Sequence, residues 1–196
     1  MKKTTSGFTI VELLIVVVVI AILAAISVVA YNGIQQRANK SAVANYAANA
    51  LKVLQAYKAA EGVYPSYNGC IGTGYIDRTS NGTLDCRWTT TGDTYLVNAS
   101  LNAQLDKYSN IKSVIAPTQT VDAGGQSANG GHYTASNGAI LDGIAHQNWF
   151  VYATPDYKCP VGPIARMTGW PNLVTDNSAA YSEGWGNGSL CWIPLK

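Results

Sequence analysis

Glu12 is a carboxylate inside the most apolar stretch of the chain, one turn into the segment SGFTIVELLI that runs from Ser6 to Ile15. An unpaired charge in hydrocarbon costs on the order of 3 kcal/mol or more, so the chemistry of Glu12 must be that of an ion with a partner. Other reactive groups are scattered. His132 and His146 lie near Ser136 and Asp142 in sequence, but no spacing marks a triad, and no G-x-S-x-G, H-E-x-x-H or P-loop motif is present. Histidines of a loop or sheet surface are the simpler reading, and neither an enzyme nor a cofactor is expected. Asp176, Asn177 and Glu183 carry oxygens suited to calcium, but their spacing fits no defined loop; no metal site is expected. Trp170, Trp185, Trp192 and Tyr181 would form either a sugar-binding platform or the packing of a loop, and the burial tendency of aromatics favours packing. Sequons at Asn39, Asn81, Asn98 and Asn187 are what chance gives in a chain this rich in Asn, Ser and Thr.

The four cysteines, Cys70, Cys86, Cys159 and Cys191, all follow the apolar run, and none forms a C-x-x-C pair. An even count behind a membrane segment points to two disulfides in an oxidising compartment, in preference to buried free thiols. Three pairings are possible; proximity in sequence favours Cys70–Cys86 and Cys159–Cys191.

The 196 residues allow one domain and an appendage. Charged residues are only 12 %, while aliphatics and aromatics are plentiful enough to exclude a disordered chain. Lys2 and Lys3 account for the net charge of +2; without them 11 basic residues face 11 acidic ones. A neutral chain offers no electrostatic case for nucleic-acid binding.

The element that must position Glu12 is a helix. From Phe8 to Tyr31 the strongly polar side chains are Thr9, Glu12 and Ser27, and these 24 residues exceed the roughly 20 that span a bilayer core. The preceding lysines keep the N-terminus cytoplasmic. Ala24 and Ala25 resemble a signal-cleavage site, but helical character continues past them. In AVANYAANALKVLQAYKAA, from Ala42 to Ala60, the residues Val43, Ala47, Ala50, Leu54 and Tyr57 make one apolar face, with Lys40, Asn45, Lys52 and Lys58 elsewhere. No proline interrupts Phe8 to Ala60, and Gly62 and Pro65 supply the stop. A single helix from Phe8 to about Glu61 would be roughly 80 Å long.

The stretch KKTTSGFTIVELLIVVVVIAILAAI resembles the prepilin signature of type IV pilins and their relatives: a short basic leader, Gly7, Phe8, Glu12 and a retained apolar helix. The resemblance is close from Lys2 to Ala60 and covers only the general plan beyond. It implies cleavage between Gly7 and Phe8 by a membrane prepilin peptidase, N-methylation of Phe8 by the same enzyme, and helical packing of copies in a filament core. It also gives Glu12 a partner, the cationic Phe8 amine of an adjacent subunit, so that a subunit at the wrong height leaves its carboxylate unpaired. Many relatives carry a proline where this chain has Val28, Val29 and Ala30, which leaves Ser27 and Gly33 as the local weak points of the helix.

The expected fold class is α+β: a long N-terminal helix, half membrane-spanning and half amphipathic, packed on an antiparallel β-sheet with disulfide-closed loops. The expected divisions are a cleaved leader, 1–7; a transmembrane and filament-core helix, 8–30; its amphipathic half, 31–61; a connecting loop region, 62–110; and a β-sheet region with a C-terminal disulfide loop, 111–196. A short helix is expected from Ser100 to Tyr108 with Ser100 as N-cap. About four strands are expected, drawn from IKSVIA at Ile111, HYTA at His132, AILDGIA at Ala139, NWFVYAT at Asn148 and SLCWIP at Ser189, with Asp122 to Gly131 as a glycine-rich separator. By the resemblance, Cys159 and Cys191 close the variable, surface-exposed disulfide region.

The function expected from the resemblance is structural: a pilin held first in the cytoplasmic membrane as a single-pass precursor, then exported into an extracellular surface filament for adhesion, motility or DNA uptake. Its partners would be copies of itself, other pilins, the prepilin peptidase and an inner-membrane assembly platform. A pseudopilin of a type II secretion system would share the helix and Glu12. A membrane-anchored hydrolase or lectin that never assembles would have no use for the Gly7-Phe8 and Glu12 signature.

Overall fold

The computed structural model describes residues 8–77, 82–89, 94–118, 120–123, 126–135, 140–141, 143–154, 159, 165–169, 172–175 and 189–196. The chain divides into two compact units, 1–38 and 39–196. Helix α1, Ile10–Glu61, passes through both. Every described residue of the first unit is exposed, and α1 is long and apolar enough to cross a membrane.

In the second unit α1 is amphipathic, as its spacing requires. Val43, Ala47, Ala50, Leu54 and Tyr57 are all buried, together with Tyr46 and Val53, while Lys40, Asn45 and Lys52 are exposed. Burying side chains the size of Val43 or Leu54 contributes about 1.5–3 kcal/mol each. The helix ends where Gly62 turns left-handed at φ 75°, and its N–H donates to the Lys58 carbonyl at 2.9 Å.

The remainder is β1 (Gly69–Cys70), β2 (Asp85–Thr89), β3 (Tyr95–Leu96), α2 (Ala99–Asp106), β4 (Val121–Ala123), β5 (Gln126–Ala128), β6 (Gly131–Ala135), β7 (Ile140–Leu141), β8 (Ile144–Ala145), β9 (Asn148–Thr154), β10 (Ala165–Gly169), β11 (Asn172–Thr175) and β12 (Ser189–Pro194). They form a larger sheet in the order β1-β6-β9-β12-β10-β11-β7-β8 and a smaller one in the order β3-β2-β5-β4. Among the described strands, β7 and β11 pair in parallel and the other pairs are antiparallel. The class is therefore α+β.

The centre of the larger sheet is β6-β9-β12. Trp149, Val151 and Trp192 pack with Leu141 on one face, while Phe150, Tyr152, Cys191 and Ile193 join the α1 stripe on the other. A strand buried on both faces reads as a continuous apolar run, which is why NWFVYAT was legible. At the contact between α1 and the sheet, the Tyr46 hydroxyl lies 2.9 Å from the Gly131 carbonyl, 3.0 Å from that of Ile71 and 2.7 Å from the Tyr75 hydroxyl. Desolvation pushes both phenols up, Tyr75 well above its ordinary value.

Several local expectations are corrected. Asn98, not Ser100, caps α2: its Oδ1 accepts from the N–H groups of Ser100 and Leu101. Ile111–Ser113 is a turn of 3₁₀-helix rather than a strand, because Asp106 Oδ1 takes the Ile111 N–H and the Asn110 carbonyl takes that of Ser113. AILDGIA is two short strands, β7 and β8, turning at Gly143. The glycine-rich stretch from Asp122 to Gly131 holds the β4–β5 hairpin and the start of β6. Among the described residues there are twelve strands where about four were expected; most of the added ones are two to five residues long, too short to carry a period of their own.

Candidate assembly site

Thr9 and Glu12 form a capping box at the first turn of α1. The backbone N–H and the hydroxyl of Thr9 both donate to Glu12 Oε2 at 2.8 Å, and the Glu12 N–H donates to Thr9 Oγ1 at 3.3 Å. This satisfies two of the N–H groups that a helix start leaves without partners, and it sets a negative charge at the positive end of the helix dipole. T-x-x-E ahead of an apolar run is a sequence signature of a helix start, and TIVE from Thr9 to Glu12 carries it, a capping role beyond the ion-pairing one expected of Glu12. Glu12 Oε1 has no hydrogen bond to a described residue.

Around this pair the surface is apolar. Phe8 and Ile10 are each 83 % exposed, and Val11, Leu13, Leu14 and Ile15 are exposed as well. One face of such a helix touching nothing would be ordinary; all faces bare requires a surrounding of lipid or other helices. Further along, Ser27 satisfies its hydroxyl on the Leu23 carbonyl at 2.7 Å within an unbroken helix. Gly7, on the other side of the junction, lies outside the described residues.

Among the described residues, the remaining groups are placed apart from one another in structural roles. His132 is buried in β6, where burial and then the Arg87 charge hold its imidazole well below the usual range, and its ring stacks on Tyr95. The His146 carbonyl accepts the Trp149 indole N–H at 2.9 Å. Ser136, Asp142, Asp176, Asn177, Glu183, Trp170, Tyr181 and Trp185 lie outside the described residues, as do Asn81 and Asn187. Trp192 is in the core, edge-on to Trp149 at 5.9 Å. Asn98 spends its side chain on the α2 cap and on the Asn68 carbonyl. Among the described residues no cluster of three His, Cys, Asp or Glu is arranged to hold a metal ion. The cysteines pair as Cys70–Cys86 and Cys159–Cys191; the first joins β1 of the larger sheet to β2 of the smaller, and the second ties residue 159 to the central strand β12.

Residues 2–28 match the family described as the prokaryotic N-terminal methylation motif. The chain is 37 % identical over 82 residues to the fimbrial protein EcpC of Eikenella corrodens, a match that covers 42 % of this chain and 52 % of that protein. It therefore spans about half the length of the curated relative it matches. No solved structure matches it. The chain thus joins an exposed apolar helix, two disulfides and an α+β fold to the prokaryotic N-terminal methylation motif, and over part of its length it is similar to a fimbrial protein.

Proposed function

We propose that the chain is the structural subunit of a type IV pilus. The observation that carries this reading is the methylation motif at residues 2–28, which runs into a helix whose side chains from Ile10 to Ala30 are almost all apolar and are exposed on every face. In this reading a prepilin peptidase cuts between Gly7 and Phe8 and methylates the new Phe8 amine. The helix first crosses the cytoplasmic membrane once, then leaves it to pack among copies of itself and other pilins, supplied by an inner-membrane assembly platform. The unit 39–196 forms the outer part of the extracellular filament, where adhesion, motility or DNA uptake would be served mechanically.

Glu12 Oε1 then accepts from the Phe8 ammonium of a neighbouring subunit, while Oε2 stays on Thr9. A charge pair in an apolar surrounding is tolerable when both ions are hydrogen-bonded, and removing one partner is costly. Mass spectrometry of the mature N-terminus tests the processing step: methylated Phe8 is expected, and an intact Met1 or a cut near Ala25 would end this reading. A pseudopilin would be processed identically. Electron microscopy of sheared surface material at native expression separates the two, because filaments built from this chain are expected of a pilin and not of a pseudopilin.

A further inference from the structure

The two sheets meet at His132. Its ring, on β6 of the larger sheet, stacks on Tyr95 of β3 in the smaller one, with centroids 3.6 Å apart and planes 19° apart. The residue is 2 % exposed, and its buried Nε2 has no hydrogen-bond partner among the described residues. The Tyr95 hydroxyl reaches Thr134 Oγ1 at 3.4 Å, on the same strand as His132. Cys70, which faces His132 in the β1–β6 register, is bonded to Cys86 of β2. The contact between the sheets is thus an aromatic stack beside a covalent tether.

The groups around the ring disfavour a proton on it. From β2, the Arg87 guanidinium bears on the imidazole as a like charge. Asp85, on the same strand, is buried and engaged in an interaction of its own. From β3 comes the Tyr95 phenol, from β1 the oxidised Cys70, and from β9 the apolar Val151 directly opposite in register. A cation over a tyrosine face gains less than a buried ion loses by leaving water. Desolvation therefore wins.

We propose that His132 is an acid-sensitive lock between the two sheets. As a neutral ring it stays in the stack and holds the smaller sheet in place. Once protonated it must leave for water, and the smaller sheet loosens locally while Cys70–Cys86 keeps it attached. Because the folded ring binds its proton less tightly than the unfolded chain, the stabilisation is complete above about pH 6.5 and declines as pH falls from there toward the folded midpoint.

The experiment is hydrogen exchange by mass spectrometry on the full chain in detergent micelles at pH 7.5 and 5.0, corrected for intrinsic exchange rates. Peptides containing residues 85–89, 95–97 and 126–128 are expected to lose protection by up to about tenfold per pH unit below pH 6.5. A peptide spanning 46–57 of α1 is expected to change little. His132→Phe keeps an aromatic ring for the stack and removes the titration, so its smaller sheet is expected to be equally protected at both pH values; His146→Gln is expected to behave as wild type. Unchanged protection of the smaller sheet in the wild type, or the same pH dependence in His132→Phe, overturns the proposal. Should His132→Phe fail to fold, imidazole NMR on labelled wild type decides: a His132 midpoint at or above about 6.5 also overturns it, and a midpoint well below supports it.

Discussion

Thr9 and Glu12 hold each other at the start of α1, through two bonds from Thr9 to one carboxylate oxygen and a third from the Glu12 N–H back to the Thr9 hydroxyl. The same carboxylate is therefore a helix cap and, in the proposed filament, the counter-ion of a neighbouring amine. The capping bonds also lower the cost of Glu12 in an isolated subunit, so that an unassembled chain is less penalised than the apolar surroundings alone suggest.

The two roles separate by substitution. Gln serves in a capping box as well as Glu does, so Glu12→Gln is expected to retain the first helical turn but lose the charge. Glu12→Ala loses both. Both variants are expected to insert in the membrane, and both are expected to assemble poorly if the charge matters. Filament yield by shearing and immunoblot is the measurement; wild-type yield from Glu12→Gln would show that no ion pair is needed.

Thr9→Ala removes the hydroxyl but leaves its backbone N–H on Glu12. A lost cap costs about 0.5–2 kcal/mol, so fraying of the first turn is expected without loss of the helix. Amide exchange of residues 10–13 in micelles should rise several-fold, with protection unchanged beyond residue 20.

Tyr46→Phe tests the polar contact that fastens α1 to the sheet. The Ile71 and Gly131 carbonyls would keep Tyr75 as a partner but lose Tyr46. A destabilisation of about 1–3 kcal/mol is expected, read as a lower denaturation midpoint with an unchanged denaturant slope.

Gly72→Ala is expected to be among the worst single changes in the second unit. Gly72 sits at φ 97°, and an added Cβ would stand 2.0 Å from the Val114 carbonyl oxygen. Strain and overlap together should cost about 3 kcal/mol or more, so poor accumulation of folded protein is expected; a wild-type melting temperature would contradict the geometry.

Removing the disulfides should cost unequally. Cys70 and Cys86 are 16 residues apart, and Cys159 and Cys191 are 32 apart. Chain entropy gives about 3 and about 4 kcal/mol respectively. Paired Cys→Ala variants, compared by thermal unfolding, are expected to rank in that order. The reverse order would mean that joining β1 to β2 across the sheets outweighs loop length.

Much of this protein was determined by sequence alone wherever the information is local and periodic. The apolar run from Phe8, the stripe Val43, Ala47, Ala50, Leu54 and Tyr57, and the stop at Gly62 each follow from helix geometry and side-chain chemistry, without reference to any distant residue. The strands β9 and β12 were legible because burial on both faces makes them continuously apolar. The methylation motif was legible because it too is contiguous. Tertiary structure decided the rest. The two-residue strand β1 exists because β6 lies beside it, and β2 pairs with a β5 nearly forty positions on. His132 and Tyr95 are equally silent in sequence: their stack is made by bringing two sheets together, and no spacing along the chain encodes a contact whose free energy comes from residues far apart in it.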